Sequence, residues 1–220
     1  PKIDISNESF PFMACGKVSI FNGIEARLFR ISFSGELAYE LALPRRYASS
    51  FMKHIFEIGT KFNLVPYGTE ALGVMRIEKG HAAGNELNGQ TTANNLGLGK
   101  MVSKLNDCIG NTMSEREQID GKAVLKLVGF APTNKMQSLV AGSHFISKGK
   151  PAKLENDEGW MSSVAFSPML KKSIGLGFIK EGDQRFGEKV DSVNPLNNEI
   201  IEVEITSPHF FDPEGDRLRG

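Results

Sequence analysis

The sequence has few cysteines, no excess charge and no long apolar run. Its 220 residues contain two cysteines, Cys15 and Cys108, and no Cys-x-x-Cys pair. We therefore expect no disulfide scaffold and no metal site, and a reducing, cytoplasmic location. Lysine plus arginine and aspartate plus glutamate each total 26, and this neutral balance argues against a nucleic-acid partner. No run of about 18 apolar residues is present, so no membrane association is predicted.

The first half of the chain predicts a mixture of strands and helices. Residues 24–43 alternate apolar and polar side chains around a Ser-Gly-Glu turn at 34–36, which predicts a hairpin with one buried face. Pro44 favours the first turn of a helix. The predicted buried face of that helix carries Phe51, Ile55, Ile58 and Phe62. Strand, strand and helix in this order form half of a split βαβ, ferredoxin-like unit.

The sequence from residue 69 onward predicts one helix, a long loop and then a β-domain. The helix covers 69–79 before Gly80, and the polar stretch 81–99 is a long irregular loop, a feature that is often functional. Short strands are predicted at 123–130, 160–166, 173–179 and 199–206, with a spacing typical of a small barrel or sandwich. The fold class is therefore α+β, with one domain over 1–115 and an all-β barrel domain over 116–220.

Glu78 is the most informative single residue. On the predicted helix it shares one stripe with Ala71, Val74 and Met75. A carboxylate on an apolar stripe is costly to bury unless hydrogen-bond donors meet it. Glu78 is therefore either an anchor for a ligand rich in N–H groups, or a structural carboxylate that is solvated at the helix end or paired with a base such as Arg76 or Lys79. Physical reasoning alone leaves both open.

Arg30 and Glu36 flank the predicted hairpin turn. They are candidates to bind a ligand, and the simpler alternative is a solvated ion pair beside the turn.

Three motifs extend this reading. Residues 30–40 (RISFSGELAYE), 66–80 (PYGTEALGVMRIEKG) and 85–92 (NELNGQTT, followed by LGLG) occur in one order. This set resembles the R-x-x-Y-T-G-E-x-G-Y-E, G-x-x-A-x-x-x-L-R-L-E-x-G and N-D-x-x-x-x-T-T-P…G-L-G segments of the glycine-cleavage T-protein, or aminomethyltransferase, family. The resemblance covers essentially the whole chain, including the C-terminal barrel.

Within that superfamily, residues 75–92 and the ending FDPEGDRLRG are similar to the C-terminal part of the sarcosine oxidase alpha-subunit family. The resemblance implies a heteromeric flavoenzyme that demethylates sarcosine oxidatively and passes the one-carbon unit to tetrahydrofolate. It implies beta, gamma and delta subunits as partners. It also places the flavin (FMN or FAD) and NAD in other parts of the complex.

The resemblance assigns residues to the folate. Glu78 aligns with the family glutamate that binds the pterin ring, and Glu36, Tyr39 and Tyr67 are further candidates to line the site. The family's acid/base aspartate lies before residue 1, so no catalytic residue is assigned and the isolated chain is expected to be incomplete as an enzyme. Phe33, Ser34, Glu86 and Ala93 depart from the family pattern.

Two alternatives to the sarcosine oxidase assignment stay open. One is a true aminomethyltransferase, which works on a lipoyl carrier without a flavin partner. The other is a non-catalytic folate-binding relative, such as some iron–sulfur assembly factors, which carry a Lys-Gly-Cys-Tyr run. Residues 79–85 read KGHAAGN and lack that cysteine, which disfavours the second alternative.

Overall fold

A computed structural model describes residues 3–21, 23–103, 109–114, 116 and 124–220. The chain divides into two units, one of Pro1–Leu72 with Glu214–Gly220 and one of Gly73–Pro213. The expected combination of a mixed α/β part and a β-barrel is confirmed. Within the described residues, no helix combines the length and apolarity needed to cross a membrane.

The first unit is built on a three-stranded antiparallel sheet. Its strands are β1 (Cys15–Ile20), β2 (Ile24–Phe29) and β3 (Glu40–Ala42), with β2 in the middle. The predicted hairpin is partly right, because β2 pairs with β3. The connection is the loop 30–39 rather than a tight turn at 34–36, and strand β1 was not predicted.

The first helix, α1 (Ala48–Gly59), follows a short 3₁₀ turn. The prediction that Ile58 and Phe62 are buried is wrong, since they are 53% and 77% exposed. The helix ends at Gly59 and a second 3₁₀ turn follows, so Phe62 no longer continues the helical stripe. Phe51, which belongs to the same predicted face, packs edge to face against Phe21, with the two ring centroids 5.7 Å apart.

The second unit is a closed antiparallel barrel of strand order β4-β7-β6-β5-β8-β9. The strands are β4 (Leu125–Pro132), β5 (His144–Ser147), β6 (Asp157–Ser167), β7 (Lys172–Lys180), β8 (Lys189–Val193) and β9 (Ile200–Thr206). Its interior is filled by apolar side chains from every strand, including Val128, Phe130, Phe145, Val190, Val203 and Ile205. Four of these strands were predicted, whereas β5 and β8 were not.

Helix α2 (Thr69–Lys79) has the predicted bounds and its end packs on the outside of the barrel. Ile77 joins a second apolar cluster with residues of β4 and β7 that alternate with the interior set: Leu127, Ile174, Leu176 and Phe178. Because successive residues of a strand point to opposite faces, the barrel offers α2 an apolar outer surface. The division between the two units falls inside this helix.

Two short α-helices are also described, α3 (Asn111–Ser114) and α4 (Asp216–Arg219), with short 3₁₀ helices at Gly99–Met101, Leu154–Asn156 and Gly182–Gln184. The predicted domain boundary between 115 and 116 stays a prediction, and it borders residues outside the described ranges. Cys108 also lies outside them, whereas Cys15 is a free, exposed cysteine.

Candidate functional site

The C-terminal end of α2 is fixed by a glycine cap. Gly80 has φ +78°, a left-handed conformation that side chains disfavour. The Gly80 amide donates to the Ile77 carbonyl at 3.0 Å, and the His81 amide donates to the Arg76 carbonyl at 2.9 Å. This pair of bonds is the Schellman motif. A Cβ at Gly80 would lie 2.4 Å from the Pro208 carbonyl oxygen, so the close approach of residues 208–212 also requires glycine.

The segment 208–212 satisfies the last carbonyls of α2. The Phe211 amide donates to the Glu78 carbonyl at 3.0 Å. His209 Nδ1 lies 2.8 Å from the Lys79 carbonyl oxygen, which accepts a hydrogen bond from it. Free carbonyls at a helix end need such partners when they are buried. The backbone around Glu78 is therefore held from two sides.

Glu78 is buried at the end of this helix, with 7% of its surface exposed. Its Oε1 accepts a hydrogen bond of 2.5 Å from the hydroxyl of Ser167, the last residue of β6. Within the described part of the chain, no donor is bonded to the second carboxylate oxygen, Oε2. This oxygen is also not fully enclosed by the protein. One carboxylate oxygen is thus engaged and the other is available.

The bases beside Glu78 are bound to other acids. Lys79 Nζ pairs with Asp212 Oδ2 at 2.9 Å, with both side chains at most 12% exposed. Arg76 Nη1 pairs with Glu86 Oε2 at 3.0 Å. Neither Arg76 nor Lys79 is therefore the partner of Glu78, whose carboxylate is held by the Ser167 hydroxyl instead.

Glu86 is the centre of a buried polar network. It is 0% exposed, and besides Arg76 it accepts hydrogen bonds from the Ala83 amide at 2.9 Å and from the hydroxyls of Ser162 and Ser163 at 2.6 Å each. Burial pushes the pKa of Glu86 upward. The two serines, the amide and the charge of Arg76 outweigh this effect, so the pKa lies below its usual 4.5.

This network attaches the long loop 81–99 to the barrel. Glu86 belongs to the loop, Arg76 to α2, and the serines to β6. Arg76 Nη2 donates to Ser163 Oγ at 2.8 Å, and Asn85 Nδ2 donates to the Ser162 carbonyl at 3.1 Å. Glu86, predicted only as a departure from the resembled motif, thus anchors this loop.

The remaining predicted residues lie in the first unit. Glu36 Oε1 pairs with Arg217 Nη1 at 2.8 Å across a half-exposed contact. The Tyr39 hydroxyl donates to the Ile5 carbonyl at 3.4 Å, and Tyr67 is 63% exposed.

Arg30 does not form the expected solvated pair with Glu36. It is 2% exposed and donates to the carbonyls of Phe10, at 2.8 Å, and Arg219, at 2.5 Å.

A cavity of about 330 Å³ opens on the barrel, lined by Gln90, Trp160 and Phe178 among others, but neither Glu78 nor Glu86 borders it. The available carboxylate oxygen is therefore separate from this cavity. The described residues contain no group of three or more His, Cys, Asp or Glu side chains suited to a metal ion.

Comparison with known proteins identifies two domain types. The profile of the GCVT N-terminal domain matches residues 1–106, and that of the glycine cleavage T-protein C-terminal barrel domain matches residues 126–212. The chain is 45% identical over 217 residues, 98% of its length, to sarcosine oxidase subunit alpha of Rhizobium meliloti (strain 1021). It is 28% identical over 192 residues, 86% of its length, to an aminomethyltransferase of Thermoanaerobacter pseudethanolicus.

These relatives are longer proteins. The chain spans 22% of the Rhizobium subunit and 49% of the Thermoanaerobacter enzyme. Among solved structures, the glycine cleavage system aminomethyltransferase T of Bartonella henselae matches with a TM-score of 0.71 and 20% identity, over 86% of this chain and 50% of that one. That similarity supports the fold.

Proposed function

Because the chain belongs to the glycine cleavage T-protein family, we propose that it binds a reduced folate, tetrahydrofolate, through Glu78. The observation that carries the proposal is the arrangement of charges at the end of α2. Glu78 is buried and has no cationic partner among the described residues, while Arg76 and Lys79 each pair with another acid. A buried carboxylate with an available oxygen favours a ligand that brings its own donors.

The pterin ring supplies donors of this kind. Its ring N–H and its 2-amino N–H lie side by side, and a carboxylate accepts such a pair in parallel hydrogen bonds. Glu78 Oε2 is available for one of them, and Oε1 has a second lone pair beside the one that Ser167 occupies. Holding the ring in this way orients the folate nitrogen that captures the one-carbon unit, which is a positioning contribution to the reaction.

Glu36, Tyr39 and Tyr67 remain part of the proposal through the family resemblance alone. The Arg217 ion pair orients the carboxylate of Glu36, and the Tyr39 hydroxyl makes one long hydrogen bond. The exposed ring of Tyr67 presents an apolar surface suited to stacking. Glu78 is the residue on which the proposal depends.

We assign the folate site to the larger reaction of a sarcosine oxidase. Identity is 45% to the sarcosine oxidase alpha subunit and 28% to the aminomethyltransferase, over most of the chain in both cases. In this proposal the beta, gamma and delta subunits are partners in a cytoplasmic complex, and FMN or FAD and NAD are held by other parts of it. This chain's residues bind and orient the folate that receives the one-carbon unit from sarcosine.

Calorimetry with tetrahydrofolate tests the site. Glu78→Gln keeps the shape of the side chain and removes its charge. Losing hydrogen bonds to a charged acceptor costs about 1.5–3 kcal/mol, so we expect the dissociation constant to rise about 10- to 150-fold. The control is Glu70→Gln, which changes an exposed glutamate in the first turn of the same helix. Equal affinities of wild type and Glu78→Gln would contradict the proposal.

Assays of the purified native protein separate the possible reactions. Sarcosine-dependent formation of a one-carbon folate, with hydrogen peroxide as co-product, supports the sarcosine oxidase assignment. Transfer from an aminomethyl-lipoyl carrier supports the aminomethyltransferase instead. Folate binding with neither reaction supports the non-catalytic relative.

A further inference from the structure

Strand β6 carries three buried serines that contact carboxylates on the outer side of the barrel. Ser162 and Ser163 both donate to Oε1 of Glu86 at 2.6 Å. Ser167, at the end of the strand, donates to Oε1 of Glu78 at 2.5 Å. Strand β6 therefore holds both buried glutamates. Ser162 and Ser163 bind Glu86 of the loop 81–99, and Ser167 binds Glu78 of α2.

An irregularity in β6 makes the first contact possible. Adjacent residues of a regular strand point to opposite faces, so Ser162 and Ser163 would not reach the same oxygen. The pairing of β6 with β7 shifts register between Met161 and Ser163, and such a bulge redirects side chains. The strand is regular again from Ser163 to its end, so Ser167 lies on the face of Ser163.

The hydroxyl of Ser167 is fully buried and makes two hydrogen bonds, one as acceptor and one as donor. It is 0% exposed, and its oxygen accepts a 3.0 Å hydrogen bond from the Leu170 amide. A hydroxyl has a single proton to donate. With the amide of Leu170 on one side, that proton is directed at Glu78 Oε1, which fixes the plane of the carboxylate as well as its position.

We infer that Ser167 is a positioning residue for folate binding, acting through Glu78. This inference rests on the proposed function. By holding Oε1, Ser167 presents Oε2 in one orientation, so that the carboxylate meets two adjacent N–H groups of a flat ring rather than any single donor. Without the hydroxyl the carboxylate rotates, and binding loses the part of its affinity that depends on both N–H groups being met together.

A double-mutant cycle tests this on the full-length protein with its native partners. Ser167→Ala should weaken tetrahydrofolate binding about 3- to 10-fold. In the Glu78→Gln background it should weaken binding less than about 2-fold, because the interaction through which it acts is already lost. Ser162→Ala is the matched control: it removes a buried β6 hydroxyl that contacts Glu86 instead, so folate affinity should stay unchanged while the unfolding temperature falls. Ser167→Cys, which retains volume and a weaker donor, should give an intermediate loss of affinity.

Ligand selectivity separates positioning from structural damage. The ratio of the affinities for tetrahydrofolate and for its 2-desamino analogue should fall in Ser167→Ala and stay constant in Ser162→Ala. An equal loss of affinity from Ser167→Ala in both backgrounds, or an unchanged ratio, overturns the inference and leaves folate binding at Glu78 standing. No effect of Glu78→Gln overturns the folate site and this inference together.

Discussion

Removing the carboxylate of Glu86 tests whether the buried network holds the loop 81–99 on the barrel. Glu86→Ala leaves the guanidinium of Arg76, whose side chain is 11% exposed, without its acid. Breaking one side of a buried ion pair costs about 3–5 kcal/mol. Arg76 retains its hydrogen bonds to Ser163 and the His81 carbonyl, and the Ser162 hydroxyl can donate its single proton to the Leu176 carbonyl instead. We therefore expect the lower end, about 3 kcal/mol of unfolding free energy.

Urea denaturation of the 220-residue chain measures this loss. The only tryptophan, Trp160, lies on β6 beside the serines that hold Glu86, so its fluorescence reports the unfolding of the barrel unit. A loss of about 3 kcal/mol corresponds to a fall of about 6–12 °C in the unfolding temperature.

The control variant is Glu202→Ala on β9. Glu202 pairs with Lys148 and Lys189, whose side chains are 61% and 53% exposed, and exposed pairs contribute about 1 kcal/mol or less. If Glu86→Ala costs no more than Glu202→Ala, the network is not what holds the loop. Should Glu86→Ala fail to fold, Glu86→Gln, which keeps the volume, takes its place in the comparison.

Two further predictions concern the same region. Since the pKa of Glu86 is lowered by folding, its stabilising contribution is present above its unfolded value near 4.5 and disappears as the pH falls through the folded pKa. The gap in unfolding temperature between wild type and Glu86→Gln should therefore narrow from about pH 6 to about pH 3.5, and a constant gap would refute the ionic account. Gly80→Ala should lower stability by at least about 1 kcal/mol, because its Cβ meets the Pro208 carbonyl at a positive φ. Gly73→Ala on the same helix, with nothing within 4 Å of the added Cβ, should instead raise stability by up to about 1 kcal/mol. Calorimetry measures both unfolding temperatures, and a change in the same direction for the two variants would contradict this prediction.

Local signals explain what the sequence predicted correctly. The bounds of α2 follow from its periodicity and from Gly80, and β9 follows from the alternation of Ile201, Val203 and Ile205 with glutamates. Both features lie within a few neighbouring residues. The apolar stripe also made Glu78 a candidate for burial, with a solvated position left open, and the structure shows it 7% exposed.

The missed features depend on partners that are distant in sequence. Strand β5 has only four residues and exists through its pairing with β6 and β8. The Glu86 network joins residues 76, 83, 162 and 163. The two serines reach one oxygen of Glu86 because of a register shift in β6, which no local sequence pattern predicts. The wrong prediction for Phe62 came from extending a stripe past Gly59, where the helix ends. Ile58 lies within the helix, and the spacing of apolar residues alone did not show that this position is 53% exposed.

The distribution of charge at the end of α2 distinguishes Glu78 from the two acids beside it. Glu86 and Asp212 each neutralise a buried base, and both pairs have a structural reason to exist. Glu78 neutralises none, so burying its charge costs stability that an uncharged side chain of the same shape would not. Glu78→Gln should accordingly unfold at the same temperature as wild type or a higher one, while its folate affinity falls. Natural proteins accept such a loss of stability where a charge is needed for binding. A lower unfolding temperature for Glu78→Gln would show that the carboxylate is there for the fold, and the argument for a ligand at this position would lose its physical basis.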